Sequence, residues 1–310
     1  FYISKSWLSI LFSLRFLDLL PSLIFDFQLA KKMISFGAPL TVNRNINFLN
    51  KKSPQLFCAI FLDNYSLGIL SASLLLIDYV HMMFTSNIGI LWFPILSKVY
   101  REMPKRFNEI YLRIRKFQHF ITFPIFSFLL AFGSPLINYI LPARFKGSLD
   151  ILPLACILGI IISMNYLVIP TLINFDKTKE IALISIFRFI SSLVILGTIS
   201  KYGLNFIMYG ILLIEAILFF VNNLFLHKVT KINFSNLLLP YQGIILSCLC
   251  TFLFSLLISN KLMQNLNTSL FISLTSIYII SYLGFNWIFD RKLIFDCIEI
   301  IKFPLSKLKK

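Results

Sequence analysis

The sequence predicts an all-α, polytopic integral membrane protein, and three observations lead there. Hydrophobic residues make up 58% of the 310-residue chain and charged residues only 14%, whereas soluble domains run near 45–50% apolar with about a quarter charged. Mean hydropathy is +0.83. Eight largely apolar windows recur along the chain, each near the ~20 residues that an α-helix needs to cross a ~30 Å hydrocarbon core.

The order begins with residues 1–14, read as the end of a preceding helix, and 15–32, read as an interfacial linker. The chain starts at Phe1 rather than Met, and Lys5, Arg15, Asp18 and Pro21 spoil its first residues as a signal peptide. It is expected to be the later part of something longer. The eight spans then fall at 33–60, 67–93, 117–140, 151–171, 181–199, 204–226, 237–259 and 270–289. The first is the least apolar, with Thr41, Asn43, Arg44, Asn45, Asn47 and Asn50 in its middle. A helix that polar cannot face lipid all round, so it lines a wet cavity or packs inside a bundle. Pro94 and Pro170 are expected to end the second and fourth spans, and Pro124 and Pro135 to bend the third.

Loop charge orients the chain. With the 97–116 loop defining one side, nineteen Lys and Arg residues fall there and six on the other. The positive-inside rule makes the richer side cytoplasmic, C-terminus included. The net charge of +16 is therefore read as topology, and nucleic-acid binding is set aside for want of a hydrophilic domain. Within 97–118, Tyr111, Ile114 and Phe117 recur at helical spacing among Arg113, Arg115 and Lys116. Two readings stand for that stretch, a short helix on anionic headgroups and a solvated basic loop. The five cysteines, Cys58, Cys156, Cys248, Cys250 and Cys297, make no disulfide framework or metal pair and read as small hydrophobes.

Ionisable residues inside spans are functional candidates by default. They are Arg44, Asp78, Arg188 and Glu215, with His81 three positions after Asp78 on the same helix face. In one reading Arg44 and Arg188 face a cavity and attract phosphate, which the planar guanidinium binds bidentately, with Asn43 and Asn47 lining it. In the other, Arg44 pairs with Asp78 and Arg188 with Glu215 to fix the bundle, and the asparagines are interhelical glue. Asp78, Glu215 and His81 stand as counter-ions or as ion-coupling groups. Enzyme motifs (HExxH, a phosphate-binding glycine loop, GxSxG) are absent, so neither a catalytic role nor a metal or cofactor is expected.

Asp26, then Phe36-Gly37-Ala38-Pro39-Leu40, a polar helix, FLDNYSLGILSAS at 61–73 and a span closing in WFPILSKVY at 92–100 together resemble a known family. Lys146-Gly147-Ser148-Leu149, PTLINFDKTK at 170–179 and Lys201-Tyr202-Gly203-Leu204 continue the pattern. The order is similar to the second half of Wzx-type O-antigen and oligosaccharide flippases, of the multidrug/oligosaccharidyl-lipid/polysaccharide superfamily, and covers about 25–226. The resemblance implies a C-terminal lobe fragment: 1–32 ending the first lobe and linking, 33–226 a six-helix second lobe, and 227–310 two terminal helices and a basic tail. It implies transfer of undecaprenyl-pyrophosphate-linked oligosaccharide across the bacterial inner membrane, with membrane lipids and polysaccharide assembly proteins as partners. Alternatives are a drug/cation antiporter, which would favour acidic cavity residues, and a polysaccharide polymerase, which would carry a large periplasmic loop.

Overall fold

The computed structural model describes residues 26–140, 146–238, 241–262 and 268–291, with Trp7 and Phe295 singly. These residues are helical, with no strand among them. Residues 1–38 and 39–310 form two compact units, and the last two helices belong to the second. The expectations for residues 1–14, for most of the 15–32 linker, for Cys297 and for the basic tail lie outside the described residues.

Helix α1, Phe27–Phe61, starts before the span expected at Met33. The Asp26 carboxylate accepts hydrogen bonds from the backbone N–H groups of Gln28 and Leu29, which caps the helix. A turn at Asp63 then opens α2, Asn64–Val80. Asp63 caps it by accepting from the Ser66 backbone N–H at 3.0 Å. The Ser66 hydrogen bonds hold the Asp63 carboxyl below its usual value. A carboxylate depressed in the folded state stabilises it above the unfolded value and loses that contribution as pH falls through the folded one.

After a π-helical turn, His81–Ser86, the chain runs on as α3, Asn87–Glu102. Pro94 thus does not end its span: the helix continues two further turns, as prolines allow where neighbouring groups serve the freed carbonyl. Gly89 is required here, since a Cβ would lie 2.2 Å from the Tyr166 ring. The Tyr166 hydroxyl also donates to the Ser86 carbonyl at 3.4 Å. The stretch Asn64–Glu102 has 39 residues, about 58 Å at ~1.5 Å per residue.

A short 3₁₀ turn, Pro104–Arg106, leads into α4, Phe107–Ile140, a continuous helix of 34 residues. This overturns the reading of the basic stretch at 97–118 as a loop. Residues 97–102 end α3, 104–106 form the turn, and 107–118 are the first turns of α4. Phe107, Tyr111 and Ile114 are buried there against Trp92, Leu96 and Val99 of α3.

The next elements are α5, Ser148–Asn165; α6, Val168–Asn174; α7, Thr178–Ile199; and α8, Leu204–Thr230. Pro170 sits in the first turn of α6, a position that needs no N–H partner, rather than at the end of the span. Gly203, at φ +122°, makes the turn between α7 and α8. A short α9, Phe234–Leu238, precedes α10, Gln242–Leu262, and α11, Thr268–Phe289.

Among the described residues, six stretches are long and apolar enough to cross a membrane: Asn64–Glu102, Pro104–Ser134, Ser148–Asn174, Thr178–Tyr202, Leu204–Thr230 and Phe271–Phe289. A shorter apolar stretch, Gln242–Leu256, lies in the seventh expected span. The first expected span is a helix of ample length but too polar to join them. The protein is thus a multi-pass, all-helical membrane protein. Helix α5 packs between α4 and α8, α7 lies outside α8, and α10 joins α4 to α11. Large apolar side chains remain exposed along the spans, such as Leu193, Val194, Leu213, Ile280 and Ile288, as lipid-facing surfaces are.

Proline at 124 removes the N–H that would serve the Phe120 carbonyl. The Tyr282 hydroxyl, from α11, donates to that carbonyl at 2.9 Å, and Tyr278, one turn earlier, donates to the Pro124 carbonyl at 3.0 Å. Tyr282→Phe is expected to cost about 1 kcal/mol, read as a lower midpoint of thermal unfolding in detergent. In a Pro124→Ala background, where the helix serves its own carbonyl, the same change should cost less than half as much.

Candidate functional site

The polar middle of α1 has two sides. One packs on α7. There the Ser185 hydroxyl bonds Asn43, Asn47 donates to Asn43 at 3.0 Å, and the Asn50 side chain donates to the Ser185 carbonyl at 3.2 Å. One turn on, the Ser53 and Ser192 hydroxyls are 2.7 Å apart. Side-chain hydroxyls and amides, rather than close backbone approach, join the two helices. The other side carries Arg44 and Asn45, both exposed.

Arg188, on the α7 face between Ser185 and Ser192, bonds Glu215 of α8 through Nη2 and Oε1. Glu215 is deeply buried, its side chain only 4% exposed, while Arg188 is 35% exposed. The carboxylate therefore depends on the arginine for its stability in the bundle. Asp78 does not meet Arg44. It pairs with Lys51 at 2.9 Å, both groups largely exposed. The helical hairpin of α1 and α2 brings position 51, not 44, beside Asp78. His81 is buried in the π-helical turn, its Nδ1 3.1 Å from the Thr85 hydroxyl and its ring against Phe126.

A second polar cluster escaped the sequence reading. Arg115 is only 1% exposed. Its guanidinium donates to the Asn223 side chain at 3.3 Å and to the Met164 carbonyl at 3.2 Å, and lies 5.7 Å from the centre of the Tyr241 ring. Gln118, His119 and Thr122 follow it on α4, all fully buried. Asn222 donates to Asn165 beside them at 3.1 Å. The cluster lies at one end of the bundle, where Lys116 pairs with Asp290 at 2.5 Å and Asn108 donates to the Thr230 carbonyl at 2.9 Å. Arg115 looked like a loop charge because a hydropathy window is lowered by the four basic residues at 105, 106, 113 and 116. The usable signal was the stripe Phe107, Tyr111, Ile114, Gln118, Thr122, which keeps one helical period from the turn into the apolar span.

The model of a family described as polysaccharide biosynthesis protein matches residues 1–150. That segment holds Asn43, Arg44, Asn47, Asp78, His81 and Arg115, and leaves out Arg188 and Glu215. No curated protein and no solved structure is matched.

Arg188→Met alone leaves the Glu215 carboxylate without its partner and is expected to destabilise by about 3 kcal/mol, the low end for a broken buried pair because Arg188 is 35% exposed. Arg188→Met combined with Glu215→Leu removes both charges and should regain most of that loss, measured as thermal midpoints of the purified variants.

Proposed function

We propose that the protein moves a lipid-linked oligosaccharide, carried on undecaprenyl pyrophosphate, across the bacterial inner membrane for surface polysaccharide assembly. The observation that carries this reading is the divided polarity of α1. One side is closed on α7 by Asn43, Asn47, Asn50 and Ser53, while Arg44 and Asn45 stay open on a helix as long as a membrane span. An open guanidinium is suited to bind the phosphate oxygens of a carrier lipid, and neighbouring amides are suited to sugar hydroxyls. The family match over residues 1–150 supports a role in polysaccharide biosynthesis.

In this role the chain performs no covalent chemistry. Arg44 holds the anionic head, Arg188 stays with Glu215 as a structural or switching pair, and two arrangements of the helices expose the site to either side in turn. Membrane lipids and polysaccharide assembly proteins are the partners. The charge asymmetry of the loops favours a cytoplasmic C-terminus.

In cells that depend on this gene, Arg44→Ala should lower surface polysaccharide about tenfold or more, the scale of one lost charge-assisted contact of ~1.5–3 kcal/mol. The amount of protein in the membrane should be unchanged. Normal surface polysaccharide would remove Arg44 from the pathway. A thiol placed by Asn108→Cys, beside the turn at 104–106, is expected to react with an impermeant reagent only from the cytoplasmic side; labelling from outside intact cells would invert the orientation.

A further inference from the structure

Arg115 carries a charge that the described residues do not balance. Arginine cannot shed its proton in a protein, and this one is buried among neutral groups, the Asn223 side chain and the Met164 carbonyl as acceptors and the Tyr111 hydroxyl beside them. The nearby carboxylates are engaged elsewhere: Glu109 with Arg106 and Arg113, Asp290 with Lys116, and Glu215 with Arg188. An ion in so apolar a surrounding needs an opposite charge or full solvation.

A second observation points the same way. Among the described residues, no hydrogen-bond partner meets Arg115 Nε, the Gln118 amide, either ring nitrogen of His119 or Asn165 Nδ2. Gln118 and His119 follow Arg115 by three and four positions and so leave the same side of α4. Arg115 and His119 both lie against the Tyr241 ring, at 5.7 and 4.7 Å from its centre. Asn165 is tied into the cluster through Asn222. The spare groups include four donors, a guanidinium N–H, two amide NH₂ groups and one imidazole N–H, against three acceptors, Gln118 Oε1, Asn222 Oδ1 and the second imidazole nitrogen. None of those neutral acceptors can neutralise a guanidinium, and donors in excess beside an uncompensated cation suit an anion.

Size narrows the class. Arg115, Gln118 and His119 are each at most 1% exposed, and Asn223 is equally buried. That enclosure excludes a lipid headgroup or a sugar phosphate and suits an ion of about the volume of a water molecule. We infer that Arg115, Gln118, His119 and Asn165 form a binding site for a monatomic anion, chloride being the abundant one of that size. The anion neutralises Arg115 and ties α4 to α5, α8 and the segment at Tyr241. This inference is independent of the reading of Arg44.

The test is thermal unfolding of the full chain, purified in detergent, in sodium chloride against sodium gluconate at equal ionic strength, with sodium phosphate as a third arm. The midpoint should rise saturably with chloride, by about 5 °C once chloride exceeds its dissociation constant ~100-fold, and phosphate should not reproduce the rise. Arg44→Ala should respond as the wild type does. Arg115→Gln should lose the response. Because that variant risks misfolding, Asn223→Asp is the decisive one: it sets a carboxylate against the guanidinium, and its midpoint should no longer depend on chloride. A wild-type midpoint indifferent to chloride, an equal response to phosphate, or a chloride response retained in Asn223→Asp would each overturn the site.

Discussion

The structure depends on a single constraint: polar groups within an apolar bundle need partners, which the chain or a bound ion must supply. Lipid offers no hydrogen bonds, so a backbone carbonyl freed by proline must be served by another helix. Helix α4 obeys this at Pro124. Pro124 removes the donor for the Phe120 carbonyl, and the Tyr282 hydroxyl supplies one from α11. Tyr278 repeats the contact one turn away. Two tyrosines at helical spacing thus match two carbonyls at helical spacing, which fixes the antiparallel register of α11 on α4. Around them Phe120, Phe123 and Tyr241 fill the gap with α10.

The same constraint sorts the charges. Glu215 is buried and keeps a partner, Arg188. Asp78 and Lys51 are exposed and pair where water screens them, a contact worth little to stability. Arg44 stays at the surface of α1, where its charge needs no internal partner and is free to meet a ligand. Polar groups that lock helices together and polar groups left open therefore share one helix, separated by its angular period of about 100° per residue. Two of them, Asn43 and Arg44, are neighbours in sequence and point to different surroundings.

Much of the fold was legible because a membrane span is a statement about length and composition, and both are one-dimensional. The spans from residue 148 to 230 fall close to where apolar windows put them. The angular and long-range facts were not legible. Asn43, Asn47 and Asn50 visibly share a helix face, but their partner Ser185 lies over 130 residues away. Arg188 and Glu215 were one of two readings, and only the packing of α7 on α8 joins them. Arg44 with Asp78 failed because a hairpin's register depends on its turn, here the one capped by Asp63. Arg115 was missed because averaging over a window discards phase: its side of α4 is buried while Arg113, two positions earlier, remains partly exposed and bonds Glu109.

The bond between Tyr282 and the Phe120 carbonyl spans 162 positions. A ribosome adding roughly 5–20 residues per second takes about 8–30 s to cover that distance. Throughout that interval the proline-bearing helix has already been made while its hydroxyl donor has not. During biogenesis the exposed carbonyl must borrow water or a transient protein partner, and the arrival of the last helix is the event that releases it.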